Sequence, residues 1–286
     1  MVNANAQAMQ MIELAHRRAI RCALAWTFAL AALWVVFYGA VRYEPFLTAN
    51  VDWPILLKLN HYVSPVPFVN DSIWRVSELP ILTGALFLSL FWYLWFEAGS
   101  DEVRARLLLG FSAAVTAVIL SRRLQVMLPV HARPLHNPMS GFDIPPGINP
   151  ALLTGWSSFP SDHACVYFAL TTVIWRQSRV LGLFALLSTL LGSLPRIYLG
   201  FHYPTDVALG ALLGIVSVVL TEDYGPEKLA RRVVLVEHHK PGLFYFFGFL
   251  FSYEVATLFK DIRQIGKGLG DAYHLAGFLF RSWSRY

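Results

Sequence analysis

The sequence predicts an all-α fold, a polytopic membrane helix bundle, and two observations carry that expectation. Of the 286 residues, 56% are hydrophobic and only 14% charged, a balance that soluble domains of this length do not normally tolerate. The apolar residues also gather into runs that carry no charge over about 17–20 residues, close to the length needed to cross a hydrocarbon core. A large soluble core would be interrupted by charges about every turn.

Taken in order, Arg17, Arg18 and Arg21 lead into a first apolar run at 20–41. The basic start resembles the charged region of a signal peptide. The run is long enough to span, however, and its bulky Trp34, Phe37 and Tyr38 offer no small-residue cleavage site, so a retained anchor is expected. Further runs at 80–97, 106–121, 164–178, 180–195 and 206–221 bring the expected count to six transmembrane helices. The polar, basic stretch from Trp175 to Arg179 separates the fourth run from the fifth as a tight connection.

Two segments read as interfacial. Residues 51–79 interleave Trp53, Ile55, Leu56, Leu59, Tyr62 and Val63 with Lys58, Asn60 and His61, an amphipathic helical pattern that ends at Pro65 and Pro67. Residues 242–259 form another apolar run, but a seventh span there would place Lys260, Arg263, Lys267, Arg281 and Arg285 outside. An interfacial or re-entrant cytoplasmic helix followed by a basic amphipathic tail suited to anionic lipid is therefore expected. The resulting organisation is a cytoplasmic segment 1–19, a membrane domain 20–225 and a cytoplasmic C-terminal region 226–286.

The net charge of +5 comes from basic residues scattered between apolar runs, with no single long patch, which argues against a nucleic-acid partner. They read as topology signals. Alternating the loops puts Arg104, Arg106, Arg176, Arg179, Lys228, Arg231, Arg232 and Lys240 on the side of Arg17, and the positive-inside rule makes that side cytoplasmic. In a bacterium this means the inner membrane, with segments 42–79, 122–163 and 196–205 on the periplasmic face. The two cysteines, Cys22 and Cys165, lie in apolar runs without metal-binding or disulfide spacing. Gly210 and Gly214 form a GxxxG in the sixth run, read as close packing inside the bundle.

Three clusters at run ends carry chemistry, because ionisable residues beside a membrane are expensive to place. The first spans His131 to Pro138 and contains Arg133-Pro134. The second is Pro160-Ser161-Asp162-His163, where Ser161 can cap an apolar helix and leave its first-turn N–H groups aimed at an anion. The third runs from Pro195-Arg196 through His202 to Asp206. Asp206 opens a helix behind Pro204, and a carboxylate there can hold one imidazole nitrogen of His202 and leave the other free to attack phosphorus. Arg133 and Arg196 offer planar forks for phosphoryl oxygens.

These clusters resemble the signature of the type 2 phosphatidic acid phosphatase (PAP2) superfamily: a lysine, six residues and Arg-Pro; Pro-Ser-Gly-His; then Ser-Arg, five residues, His, three residues and Asp. The resemblance covers roughly residues 51–221. It implies a helix-bundle phosphatase of the membrane-lipid branch, acting on a phosphorylated lipid through a phosphohistidine, with no cofactor and no metal. It further implies His202 as nucleophile, Asp206 as its orienting carboxylate, His163 as general acid, and Arg133, Ser161 and Arg196 as the phosphate cradle.

The match departs from the pattern in three places. Val126 stands where the family has lysine; the nearest basic residues are Arg122 and Arg123, and Arg123 is the candidate if the helix end extends by about a turn. Pro195 replaces the serine before Arg196. Asp162 replaces the glycine, an unfavourable carboxylate beside phosphate unless it faces away or pairs with an arginine. Of the other histidines, His61, His131, His238, His239 and His274 read as polar rim residues. His163, His202 and Asp206 could also be taken for metal ligands, but the arginines beside them suit an anion. Two rival functions remain open: a phosphotransferase using the same intermediate, and a lipid-binding or transport relative that has lost turnover.

Overall fold

The structure is a computed structural model and describes residues 2–79, 84–137, 141–262, 264 and 265. Among the described residues the chain is helical, without β-strands. Helix α1 runs unbroken from Val2 to Arg42, past the expected boundary at residue 19. After it come the short α2 (Glu44–Leu47), a turn of π-helix (Thr48–Asp52), α3 (Trp53–Asn60) and α4 (Pro67–Ser77). The bundle proper comprises α5 (Leu86–Glu97), α6 (Asp101–Met127), α7 (Asp162–Gln177), α8 (Arg179–Tyr198) and α9 (Pro204–Tyr224). Helices α10 (Glu227–His239) and α11 (Pro241–Ala256) follow.

Among the described residues four helices are long and apolar enough to cross a membrane: Ala19–Arg42 within α1, and α6, α8 and α9. The chain is a multi-pass membrane protein. The other two expected spans are shorter. Helix α7 has 16 residues and α5 has 12, roughly 24 and 18 Å of helix against a hydrocarbon core of about 30 Å. Residues 80–83 of the expected second span lie outside the described residues. Six full-length spans are therefore not what the described residues show. Helix α7 can be short because it is the central helix, packed against α5, α6, α8 and α9 and shielded from lipid.

Glycines bring α9 onto α7. A Cβ at Gly210 would lie 2.3 Å from the Ser161 carbonyl oxygen, and one at Gly214 would lie 2.2 Å from that of Cys165. The GxxxG thus serves packing within the bundle, where close backbone approach gains dispersion contacts that lipid cannot supply. At the end away from the site, Arg176 bonds Glu222 at 2.6 Å and pairs with Asp223, while Arg104 meets Glu237 at 3.1 Å. Four of the basic topology residues, Arg104, Arg106, Arg176 and Arg179, lie here, on α6, α7 and α8.

The C-terminal region is packed onto this bundle. Helix α11 lies antiparallel to α5: Trp95 stacks on Phe244, Trp92 Nε1 donates to Ser252 at 3.0 Å, and a Cβ at Gly84 would meet Ala256. Its outer face leaves Phe246, Phe247, Phe249, Leu250 and Phe251 exposed, as a helix apolar all round does when lipid surrounds it. The sequence expectation of an interfacial or re-entrant helix at 242–259 did not include this alignment along the depth of α5. His274 and the basic tail residues Arg263, Lys267, Arg281 and Arg285 lie outside the residues whose side chains are described.

Candidate active site

The C-terminal ends of α6 and α8 and the N-terminal ends of α7 and α9 meet at one end of the bundle, with the loop 128–161 laid across them. Segment 51–79 holds that loop in place. Asn60 and Asp143 exchange two hydrogen bonds of 2.8 Å, and Asn70 donates to the Pro146 carbonyl at 3.0 Å. Asp52 accepts from the Thr205 N–H and hydroxyl at 2.8 and 2.7 Å, tying the turn before α3 to the start of α9.

His202 sits in the turn between α8 and α9 and is 2% exposed. Its backbone N–H and that of Phe201 donate to the Arg196 carbonyl. Gly200 takes φ +74° to make the turn, and a Cβ there would strike Phe142 at 2.6 Å, so glycine is required. Nδ1 of His202 lies 2.9 Å from the Ser158 carbonyl, an acceptor only, which places the ring proton on Nδ1. Nε2 therefore carries the lone pair, and it faces Nη1 of Arg133 at 3.4 Å. Burial pushes the His202 pKa down to about 4; Asp206 opposes that shift and the Arg133 charge reinforces it. The ring is neutral at neutral pH, and its unprotonated nitrogen points at the Arg133 guanidinium.

Asp206 does not make the direct bond to His202 expected from the sequence. Its Oδ2 lies 3.6 Å from Nδ1 and instead accepts the Tyr203 N–H at 2.8 Å, capping its own helix. The Ser158 carbonyl takes the nearer place, leaving the carboxylate to act through its field. Asp206 Oδ1 faces Nδ1 of His131 at 3.3 Å.

Arg133 is 4% exposed and bonds to backbone carbonyls, Phe201 at 2.5 Å and Ser157 at 3.2 Å, with no carboxylate within salt-bridge distance among the described residues. Burial, with Arg196 and Arg122 nearby, pulls its pKa down to about 10 against the pull of Asp162 and Asp206, so it remains a cation at neutral pH. Arg196 donates to Glu78 at 2.5 Å. The Nε atoms of both Arg133 and Arg196 are buried without a hydrogen-bond partner among the described residues, a cost that an occupying anion would relieve. Ser161 caps α7 by accepting from the Ala164 N–H at 3.3 Å, and its own N–H donates to the Asp206 carbonyl at 3.0 Å.

His163 opens onto the site with its side chain 20% exposed. Its Nδ1 lies 2.9 Å from Asp162 Oδ1, leaving Nε2 available. Asp162 is thereby spent on His163 and on Arg122, whose Nη1 is 3.1 Å from Oδ2. Asp162 therefore belongs to an ion pair and not to a phosphate cradle, because its negative charge would repel the ligand. Arg123 likewise is exposed on the other face of α6. The basic residue beside the site is Arg122, which lies over the Trp156 ring at 4.5 Å and donates to Gln125 at 2.6 Å; Gln125 in turn donates to the Pro160 carbonyl at 2.6 Å.

His131, read from the sequence as a rim residue, is a part-buried neighbour of the site, its side chain 13% exposed. Ser158, Gln125 and Glu78 were not singled out either. The local signal for His131 was its place at the head of the Arg133 cluster; the others have none.

Fold and site together define a class: a multi-pass helical membrane protein with a buried, arginine-lined anion site that presents two imidazoles. Residues 131–228 match the model of the PAP2 superfamily. Three curated proteins are similar to the chain. The bacitracin transport permease protein BcrC of Bacillus licheniformis is 28% identical over 152 residues, 53% of this chain and 69% of that protein. Lipid A 1-diphosphate synthase of Escherichia coli (strain K12) is 28% identical over 148 residues, 48% and 60% of the two chains. Lipid A 4'-phosphatase of Bacteroides thetaiotaomicron is 27% identical over 170 residues, 58% and 73%.

Proposed function

We propose that the chain is an inner-membrane phosphatase that hydrolyses a phosphate or diphosphate ester of a lipid through a phosphohistidine, without a metal, at the periplasmic face. The observation that carries this reading is the pairing of Arg133, a buried cation with no carboxylate partner among the described residues, with the unprotonated Nε2 of His202, which the guanidinium contacts at 3.4 Å. A cation so placed is costly unless an anion completes it, and a phosphoryl group is the anion that the nitrogen can attack.

In this mechanism Nε2 of His202 bonds to phosphorus while the ester P–O bond breaks. His163 gives its Nε2 proton to the leaving oxygen, and Asp206 offsets the positive charge growing on the His202 ring. Water then attacks phosphorus, the P–N bond breaks, His163 takes the water's proton, and inorganic phosphate leaves. Arg133, Arg196 and the first-turn N–H groups behind Ser161 stabilise charge on the equatorial oxygens.

The periplasmic assignment follows from the basic residues at the opposite end of the bundle, which also sets the N-terminus in the cytoplasm ahead of a membrane domain at 20–225. The substrates that fit are an isoprenoid carrier diphosphate, phosphatidic acid or a related lipid, presented among membrane lipids. Similarity to a protein named as a diphosphate synthase favours a second reading, transfer of the phosphoryl group from His202 to a hydroxyl acceptor instead of water.

The test is phosphate release from an isoprenyl diphosphate and from phosphatidic acid in detergent with EDTA, using wild type and His202→Ala. Release that resists EDTA and vanishes in the variant is expected. Folded protein that cleaves neither substrate would turn the assignment toward a transferase or a lipid-binding relative.

A further inference from the structure

The two imidazoles that flank Asp206 are held in opposite states by their surroundings. Both nitrogens of His131 face oxygens: Nδ1 lies 2.9 Å from Ser158 Oγ and makes an ion-pair contact of 3.3 Å with Asp206 Oδ1, which has no hydrogen-bond partner among the described residues, and Nε2 lies 3.1 Å from Glu44 Oε1. The Ser158 hydroxyl is directed to the His131 carbonyl at 3.2 Å, so its oxygen is free to accept. Such surroundings satisfy an imidazolium. His202, by contrast, faces one acceptor and one cation.

We propose that His131 is a positioning residue for the nucleophile: it holds Oδ1 of Asp206 from the side opposite His202, fixing the carboxylate and, with Ser158, the ring that attacks. The inference rests on the reading of His202 as nucleophile.

Its backbone supports this role. The His131 N–H donates to Ser157 Oγ at 3.2 Å and its carbonyl accepts the Ser158 N–H at 3.0 Å, so the two ends of the loop, bonded to each other, carry His131 and the carbonyl that orients His202. The charged groups facing His131 are Asp206 from α9, Glu44 from α2 and, through space, Asp52 from the turn before α3. The Tyr203 ring packs 4.8 Å from it. Burial alone would lower the His131 pKa; the neighbouring carboxylates of Asp206 and Glu44 reverse that and hold it above the ordinary value. Beyond His131 lies a cavity of about 340 Å³ lined by Glu44, Thr48, Asn137 and Thr205.

Three substitutions and two readouts test the proposal. His131→Phe keeps bulk and removes both donors. Its kcat is expected to fall roughly 10- to 100-fold, the scale of a misplaced reacting group, with KM changed less than about twofold. Without its countercharge, Asp206 draws a proton to His202, so the His202 titration followed by NMR of labelled imidazole moves to higher pH. His131→Asn places an amide N–H where Nδ1 stood and restores most of kcat. His131→Gln reaches Glu44 but not Asp206 and does not. Should the Phe protein fail to fold, the contrast between Asn and Gln decides. Equal losses in Asn and Gln, or an unmoved His202 titration in Phe, would overturn the proposal. A wild type that releases no phosphate would instead count against His202 as nucleophile, and the titration would still decide the role of His131.

Discussion

Gly210→Ala is the most demanding test of how the helices position the site. The new methyl would start 2.3 Å from the Ser161 carbonyl oxygen, with further contacts to Ser161 backbone at 3.2 and 3.3 Å. Real Cβ atoms do not approach closer than 3.0 Å, so α9 and the start of α7 must part by at least about 0.7 Å, and backbone cannot yield as a side-chain tip would. The two helix starts carry Asp206 and His163, and the Ser161 N–H to Asp206 carbonyl bond of 3.0 Å joins them. Misplacement near 1 Å costs about 100-fold in rate. Initial rates of phosphate release, with substrate varied, should therefore show kcat reduced by about two orders of magnitude. KM should be little changed and the protein should elute normally from size exclusion. Overpacking should also cost about 1–3 kcal/mol of stability. Gly39→Ala, whose added methyl meets nothing within 4 Å, is the control. A Gly210→Ala enzyme within threefold of wild type would refute the claim that this contact sets the site's geometry.

Two other predictions follow from the charges. Arg133→Gln removes the buried cation and should lower kcat by about 10²–10³-fold, the range for losing one preorganised donor to a developing oxyanion. It should also move the acid limb. His202 must be neutral to attack, so the wild-type limb due to this group lies near its pKa of about 4, and loss of the Arg133 charge raises that pKa and shifts the limb to higher pH; an unmoved limb would contradict the assignment. For the pair beside His163, Arg122→Gln should impair turnover, leaving Asp162 with one partner fewer, whereas Arg123→Gln should be near neutral; parallel kinetics of the two variants would expose a reversal.

Much of the fold was legible because membrane spans declare themselves locally: α1, α6, α8 and α9 are long apolar runs, and a run needs no knowledge of its neighbours. Helix α7 was harder to size, since a helix surrounded by protein need not match the lipid. The placement of α11 against α5 rests on Trp92, Trp95, Phe244 and Ser252 meeting across about 150 residues of chain, as in the Trp95 to Tyr245 hydrogen bond, which no local pattern encodes. In the site, Arg133, Ser161, His163, Arg196, His202 and Asp206 stood out by spacing, and the fold gathers them at one end of the bundle. The choice between Arg122 and Arg123 depended on a rotation of about 100° around α6. Gln125, buried on α6 and bonded to both Arg122 and the Pro160 carbonyl, fixes the outcome. Ser158 acts through its backbone carbonyl, and a carbonyl is common to every residue type, so nothing in the sequence marks it. His131 acquires its importance only when the chain brings Glu44 and Asp206 to its two nitrogens.

The central claim is that His202 carries the phosphoryl group. Rapid quenching of the enzyme with a ³²P-labelled lipid diphosphate, in EDTA, tests it most directly: label should appear on the peptide containing His202 within the first turnover, through a base-stable, acid-labile bond, and should be absent from His202→Ala. Turnover at the full rate with no labelled protein, or with label on another residue, would contradict the account.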